Sequence, residues 1–115
     1  MVQYKYGTFT DSQIATTKDT MRKQIYFLLL IVDPKTRDEY KNVDVNQAFD
    51  NLLRKLGGLN DLLFCPPELV TIMSLLQSAL NEYNSPSFST TNFQRCAYRK
   101  LVLDAGAEVL NIKEV

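Results

Sequence analysis

The fold of this chain is decided by IYFLLLIV, residues Ile25–Val32, its longest unbroken apolar run. If the run is helical, Ile25, Leu28, Leu29 and Val32 share one face, and the other four residues fall on the remaining faces. A helix that is apolar all round has to be buried all round. The run therefore predicts a helix that lies between several neighbours, or between two subunits.

Two other readings of the run are weaker. Eight helical residues extend only about 12 Å, whereas the hydrocarbon core of a membrane is about 30 Å thick. Arg22, Lys23 and Asp33 also place charges directly at the ends of the run, so we expect no membrane span. A buried strand is the stronger competitor, since isoleucine, valine, tyrosine and phenylalanine favour strands. The best partner strand is 101–103, which fits a helix better.

A chain of 115 residues is the length of one domain. We predict an all-α fold, a compact bundle of four main helices with short loops and up-and-down packing. Residues 59–64 form either a link or a short fifth helical turn. The predicted segments are an N-terminal arm at 1–9, helix one at 10–33, helix two at 44–57, helix three at 66–84 and helix four at 90–110.

Capping boxes predict where three of the helices begin. In this motif a threonine or aspartate side chain caps the helix and a glutamine three residues later caps the backbone in return. Thr10 with Gln13 begins helix one, and Asp44 with Gln47 begins helix two. The stretch 91–94, Thr-Asn-Phe-Gln, gives a third candidate at helix four.

Proline and glycine predict the remaining boundaries. Asp33 precedes Pro34, and a residue before proline is disfavoured in the α region, so helix one should end there. Gly57 is expected to cap the C-terminus of helix two. Helix three should begin at Pro66 and Pro67, because proline is tolerated in a first turn.

Two helices carry more apolar surface than a small bundle needs. Helix three is poor in charge between Glu68 and Glu82, which indicates a central helix or an interface. Together with the run in helix one, this favours a homodimer. Helix four is expected to be buried along Phe93, Cys96, Ala97, Leu101 and Ala105, and Gly106 between two alanines would allow a close helix–helix approach.

Composition closes several routes to catalysis. The chain has 13 basic and 13 acidic residues and no histidine, so it lacks Ser-His-Asp and Cys-His catalysis and histidine-ligated metals. Its four glycines form neither a dinucleotide fingerprint nor a phosphate-binding loop. We expect no cofactor, no metal and no small-molecule substrate. No signal peptide is visible at 1–7, so Cys65 and Cys96 are interpreted as reduced thiols of a cytoplasmic protein.

The candidate partner-binding residues are Arg95, Tyr98, Arg99 and Lys100. Arg95 and Arg99 are four residues apart, hence on one face of a helix. Arginine pairs with phosphates or with carboxylates of a partner. Three interpretations stay open for this patch: a solvated outer face, a site for an acidic protein, and a site for nucleic acid.

These features predict a non-enzymatic, small helical protein–protein interaction module that acts as an adaptor, regulator or inhibitor and associates with itself. The basis is the surplus of apolar helix surface beside the lack of a catalytic set. The alternative is a nucleic-acid-binding regulator that uses the basic patch on helix four, although a neutral chain is not a basic domain.

Overall fold

A computed structural model describes residues 2–4, 7–62 and 66–112 of the chain. In chain order these residues form a short hairpin and then four α-helices, so the all-α prediction is confirmed. The helices are α1 (Asp11–Leu30), α2 (Val45–Leu62), α3 (Pro67–Tyr83) and α4 (Ala97–Glu108). Short 3-10 turns lie at Arg37–Tyr40, Phe93–Arg95 and Val109–Asn111. Residues 59–62 of the predicted link belong to α2, whereas residues 63 and 64 and Cys65 lie outside the described residues.

The predicted N-terminal arm contains a two-stranded antiparallel hairpin. Strand β1 (Val2–Tyr4) pairs with β2 (Gly7–Phe9), and Gln3 lies opposite Thr8 in the register. Strand β2 also contacts α1. The two strands of the arm therefore hydrogen-bond to each other, and the hairpin packs against α1 through β2.

The N-terminus of α1 is the predicted capping box. The Gln13 N–H donates to Thr10 Oγ1 at 3.1 Å, and the Thr10 N–H donates to Gln13 Oε1 at 2.9 Å. At α2 the structure shows the Asp44 half of the predicted box: the Asp44 carboxylate accepts from the Gln47 N–H at 3.1 Å, and the Gln47 side chain donates to Asn51. Helix α3 begins with Pro67 after Pro66, as the two prolines predict.

The C-terminus of α1 comes slightly earlier than predicted, at Leu30. The Asp33 N–H donates back to the Leu29 carbonyl at 2.8 Å, and the Thr36 hydroxyl donates to the Leu30 carbonyl at 2.7 Å. These bonds close the helix before Pro34 is reached. Ile31 and Val32 are nevertheless buried, because the turn that follows the helix still packs against the core.

Helix α2 continues past the point where Gly57 was predicted to end it, and that prediction is wrong. Both Gly57 and Gly58 are helical, and neither takes a positive φ. Leu56 is buried and Leu59 packs against the core. A glycine inside a helix costs about 1 kcal/mol relative to alanine, and the burial of these two leucines offsets that cost.

The four helices pack around one apolar core. Helix α4 packs most extensively on α3 and also on α1, α2 packs on α3, and the α1–α2 contact is the least extensive of these pairs. The fully buried large side chains are Ile25, Leu28, Phe49, Leu69, Ile72, Leu76, Tyr98, Val102 and Val109. Every helix contributes to this set, so the loss of any one helix would expose the core to solvent.

Helix α4 begins later than predicted, because Cys96 interrupts it. The backbone of Cys96 is extended (φ −76°, ψ 153°), and its Sγ accepts from the Arg99 N–H at 3.4 Å. The predicted capping box at 91–94 is therefore wrong. The interruption also rotates the buried stripe: Ala97 is exposed, and the buried residues of α4 are Tyr98, Val102, Ala105 and Gly106.

Gly106 does mark a close helix–helix approach. A Cβ atom at Gly106 would lie 2.5 Å from Cε1 of Tyr26 on α1. The Arg22 guanidinium lies over the Tyr26 ring, 5.5 Å from the ring centroid. A side chain at position 106 therefore requires the Tyr26 ring to move.

The glycines of α2 and α4 should respond to alanine in opposite directions. Nothing lies within 4 Å of a Cβ at Gly58, so Gly58→Ala should raise the free energy of unfolding by about 0.5–1 kcal/mol. Gly106→Ala should lower it by about 1 kcal/mol, because Tyr26 has to move away from α4. Urea denaturation measures both changes.

Tyr26→Ala supplies the control for the second change. In that background Gly106→Ala should become stabilising, since the ring that it meets is gone. A destabilising Gly58→Ala would show that α2 ends at Gly57 in solution.

Candidate functional site

The two arginines of the predicted patch do not share a helix face. Arg95 is exposed and belongs to the 3-10 turn before α4, while Arg99 is half-buried in the first turn of α4. The extended Cys96 lies between them. Helical spacing does not hold across such a break, so this part of the prediction is wrong.

Tyr98 is a core residue, and its assignment to the surface patch is wrong. Its side chain is 1% exposed, and its hydroxyl donates to the Leu28 carbonyl at 2.7 Å. Burial, with smaller contributions from Tyr83 and Cys96, raises the pKa of Tyr98 far above its usual value. The phenol therefore stays neutral and serves as a hydrogen-bond donor inside the protein.

Lys100 is exposed and forms an ion pair with Asp104, with Nζ 2.8 Å from Oδ2. Such a pair between exposed side chains contributes between about 0 and 1 kcal/mol to stability. It does lower the positive potential around Lys100. Of the four predicted residues, Arg95 and Arg99 thus carry the positive charge that no acidic partner offsets within the described part of the chain.

Arg99 lines an apolar groove that runs along the C-terminal half of α1, here called the α1–α4 groove. Its cavity volume is about 540 Å³. Its lining comprises Lys23, Tyr26, Phe27, Leu29, Leu30, Asp33, Phe93, Gln94 and Arg99. Four of these residues come from the apolar run that decides the fold.

The apolar run is not buried on all sides, contrary to expectation. Leu28 is fully buried, but Phe27 and Leu29 are only half-buried, and Leu30 is 39% exposed. Phe27 is held in place by Tyr40, whose ring meets it edge to face at 5.2 Å between centroids. The α1–α4 groove is therefore formed by the side of the run that the described part of the chain leaves uncovered.

Charges of both signs lie on the rim of the α1–α4 groove. Arg99 Nη1 donates to the Gln94 carbonyl at 3.4 Å, a long hydrogen bond that leaves the guanidinium accessible. Lys23 pairs with Asp19 at 3.0 Å, and both side chains are well exposed. Asp33 accepts from the Lys35 N–H at 2.9 Å. The rim can therefore pair with a partner that carries both a carboxylate and a cation.

The sequence contained part of the signal for this site. It marked Ile25–Val32 as too apolar for one face, and it marked Arg99 as a partner-binding residue. The sequence did not predict that Leu30 and Arg99 line the same groove, because this depends on how α4 packs against α1. The two residues are 69 positions apart in the chain, and no sequence pattern indicates that they lie close together.

Comparisons with protein-family models, with curated proteins and with solved structures found no match to this chain. Within the described residues, no helix has both the length and the apolar character that crossing a membrane requires. The cysteine, aspartate and glutamate side chains of those residues form no cluster that could hold a metal ion.

The raised pKa of Tyr98 predicts how stability depends on alkaline pH. Between the unfolded pKa of about 10 and the folded value, the unfolded chain loses the Tyr98 proton and the folded chain keeps it. Stability should therefore fall as pH rises above 10, with Tyr98 contributing about 1.4 kcal/mol per pH unit. Urea denaturation between pH 7 and 11.5 measures this slope.

Tyr98→Phe removes that contribution. The variant should be less stable than the wild type at pH 7 by about 1 kcal/mol, since a buried carbonyl loses its donor. Its stability should fall less steeply above pH 10, and Tyr40→Phe serves as the matched control. Parallel pH curves for wild type and Tyr98→Phe would contradict the assignment.

Proposed function

We propose that the protein is a non-enzymatic helical interaction module, an adaptor, regulator or inhibitor, that associates with itself through the α1–α4 groove. The single observation that carries the proposal is the open apolar groove along Tyr26, Phe27, Leu29 and Leu30. Residues of this kind are buried by the chain's own fold or by another protein.

The groove has the features of a self-complementary surface. In a two-fold dimer the same patch of both subunits meets itself. Each copy offers a hollow and, beside it, an exposed leucine, Leu30. Asp33 and Arg99 lie on the same rim, so a carboxylate of one copy can pair with a guanidinium of the other.

The absence of histidine from the whole sequence supports a non-enzymatic role, because the common acid–base and nucleophilic constellations depend on it. Cys96 is a half-buried thiol with no disulfide partner among the described residues, and the cytoplasm, where thiols stay reduced, is the location that we propose. No cofactor is part of the proposal.

The second candidate, a nucleic-acid-binding regulator, receives less support from the geometry. Single-stranded nucleic acid is bound by cations combined with aromatic rings on which bases stack. Tyr98 cannot supply such a ring, since it is buried, and Lys100 is paired with Asp104. Arg95 and Arg99 remain on the surface, so the same experiment has to test for nucleic acid.

Size-exclusion chromatography with light scattering, read at 260 and 280 nm, tests the proposal. The wild type should elute as a dimer free of nucleic acid. Leu30→Glu should raise the dimer dissociation constant by about 10- to 100-fold, because a charge is then forced into the apolar contact. The variant should therefore be monomeric at concentrations where the wild type is dimeric.

Val70→Glu and Leu110→Glu are the matched controls. Both replace exposed apolar residues, 46% and 59% accessible, that do not line the groove. They should leave the dimer intact. A wild type that is monomeric, or a dimer that Leu30→Glu and Val70→Glu affect equally, would overturn self-association through this groove. Co-purified nucleic acid that Arg95→Glu with Arg99→Glu removes would favour the second candidate.

A further inference from the structure

A second and larger groove lies between α1 and α2, which contact each other less extensively than α2 contacts α3 or α4 contacts α1. This α1–α2 groove has a cavity volume of about 770 Å³. A smaller hollow of about 230 Å³ extends it and shares Thr20, Gln24 and Lys55 with it. Together they run along α1 from Thr16 to Leu28. At 1.5 Å per residue this is a length of about 18 Å.

The groove has an apolar floor and a polar, mostly uncharged rim. The apolar side chains of its floor are Met21, Phe27, Leu28, Val43, Ala48, Leu52, Leu56 and Leu59. Thr20 and Gln24 form the edge on α1. Gln47 and Asn51 form the edge on α2, where the Gln47 amide donates to Asn51 Oδ1 at 3.0 Å. The groove is open to solvent along its length.

This shape favours a helix as the occupant. A ligand in an open groove keeps one side in water, so it has to be apolar on one side and polar on the other. An amphipathic helix has that property, with its apolar residues at i, i+3, i+4 and i+7. Short side chains at the contact, here Thr20 and Ala48, allow the close interaxial distances of packed helices. A length of 18 Å accommodates about 12 helical residues.

The charges favour an acidic helix. Lys23 and Lys55 line the groove, and Lys55 is the only charged residue that lines the smaller hollow. Asp44 is the single lining carboxylate, and it is engaged as the cap of α2. Lys55 has no acidic partner within the described part of the chain. Lys23 already pairs with Asp19 at 3.0 Å, so Lys55 is the cation that can attract a carboxylate flanking the apolar stripe of a ligand.

We propose that the α1–α2 groove binds an acidic amphipathic helix of a partner protein, with its apolar stripe on the floor and a carboxylate against Lys55. This surface shares Lys23 and Phe27 with the α1–α4 groove, but the proposal does not depend on self-association.

Fluorescence anisotropy with a labelled designed peptide tests the proposal. The probe is an 18-residue helix with leucines at i, i+3, i+4 and i+7 and glutamates on the flanks of that stripe. A second probe has the same leucines with lysines in place of the glutamates. The acidic peptide should bind to the full chain at least 10-fold more tightly than the basic one.

Exposed residues of the groove provide variants that leave the core intact. Lys55→Glu and Thr20→Glu should each weaken binding of the acidic peptide about 10-fold or more, because both place a negative charge at the rim. Arg37→Glu makes the same charge change at an exposed residue outside both grooves and should leave binding unchanged. Leu30→Glu should retain peptide binding, which separates this proposal from the self-association proposal.

Three results would overturn the proposal: no binding of the acidic peptide, equal binding of both peptides, or binding that Lys55→Glu and Arg37→Glu weaken equally. A change of oligomeric state on Thr20→Glu, without peptide binding by the wild type, would instead assign the groove to a second copy of the chain.

Discussion

One buried hydrogen bond, from the Tyr98 hydroxyl of α4 to the Leu28 carbonyl of α1, sets how α4 is oriented against α1. The last carbonyls of a helix lack partners within it, and the apolar run that ends α1 has no polar side chain to supply one. A donor 70 positions away satisfies the buried carbonyl. The Tyr98 ring also meets the rings of Phe49, Tyr83, Phe88 and Phe93 at 5.9–6.3 Å. One side chain thus ties α1 to each other part of the bundle.

The same bond determines which residues of α4 reach the surface. Because Tyr98 points into the core, Arg99 lies at the edge of α1 and Lys100 faces solvent beside Asp104. The cation and the apolar groove come together for this reason. The surface we propose for self-association is thus a product of core packing, since an α4 rotated by one residue would remove Arg99 from it.

Local signals predicted part of this structure. The capping box of Thr10 and the prolines before α3 depend on neighbours in sequence, and the structure has both. The predictions at Gly57 and Cys96 failed because both depend on tertiary contacts. Leu59 packs against the core only if α2 continues past Gly57, and Tyr98 is buried only if α4 begins after Cys96. The candidate site followed the same division. Its apolar residues could be identified from the sequence. The proximity of Arg99 to these residues, and the α1–α2 groove as a whole, result from helix packing and could not be predicted from the sequence.

Lys23 and Phe27 line both grooves, so the same two side chains separate the two surfaces. An occupant that orders or displaces the Phe27 ring on one side changes the shape available on the other. Binding at the two proposed sites would therefore be thermodynamically linked, and each occupant would alter the affinity of the other by the same factor. A dimer and a monomer of this chain would accordingly differ in what they bind between α1 and α2.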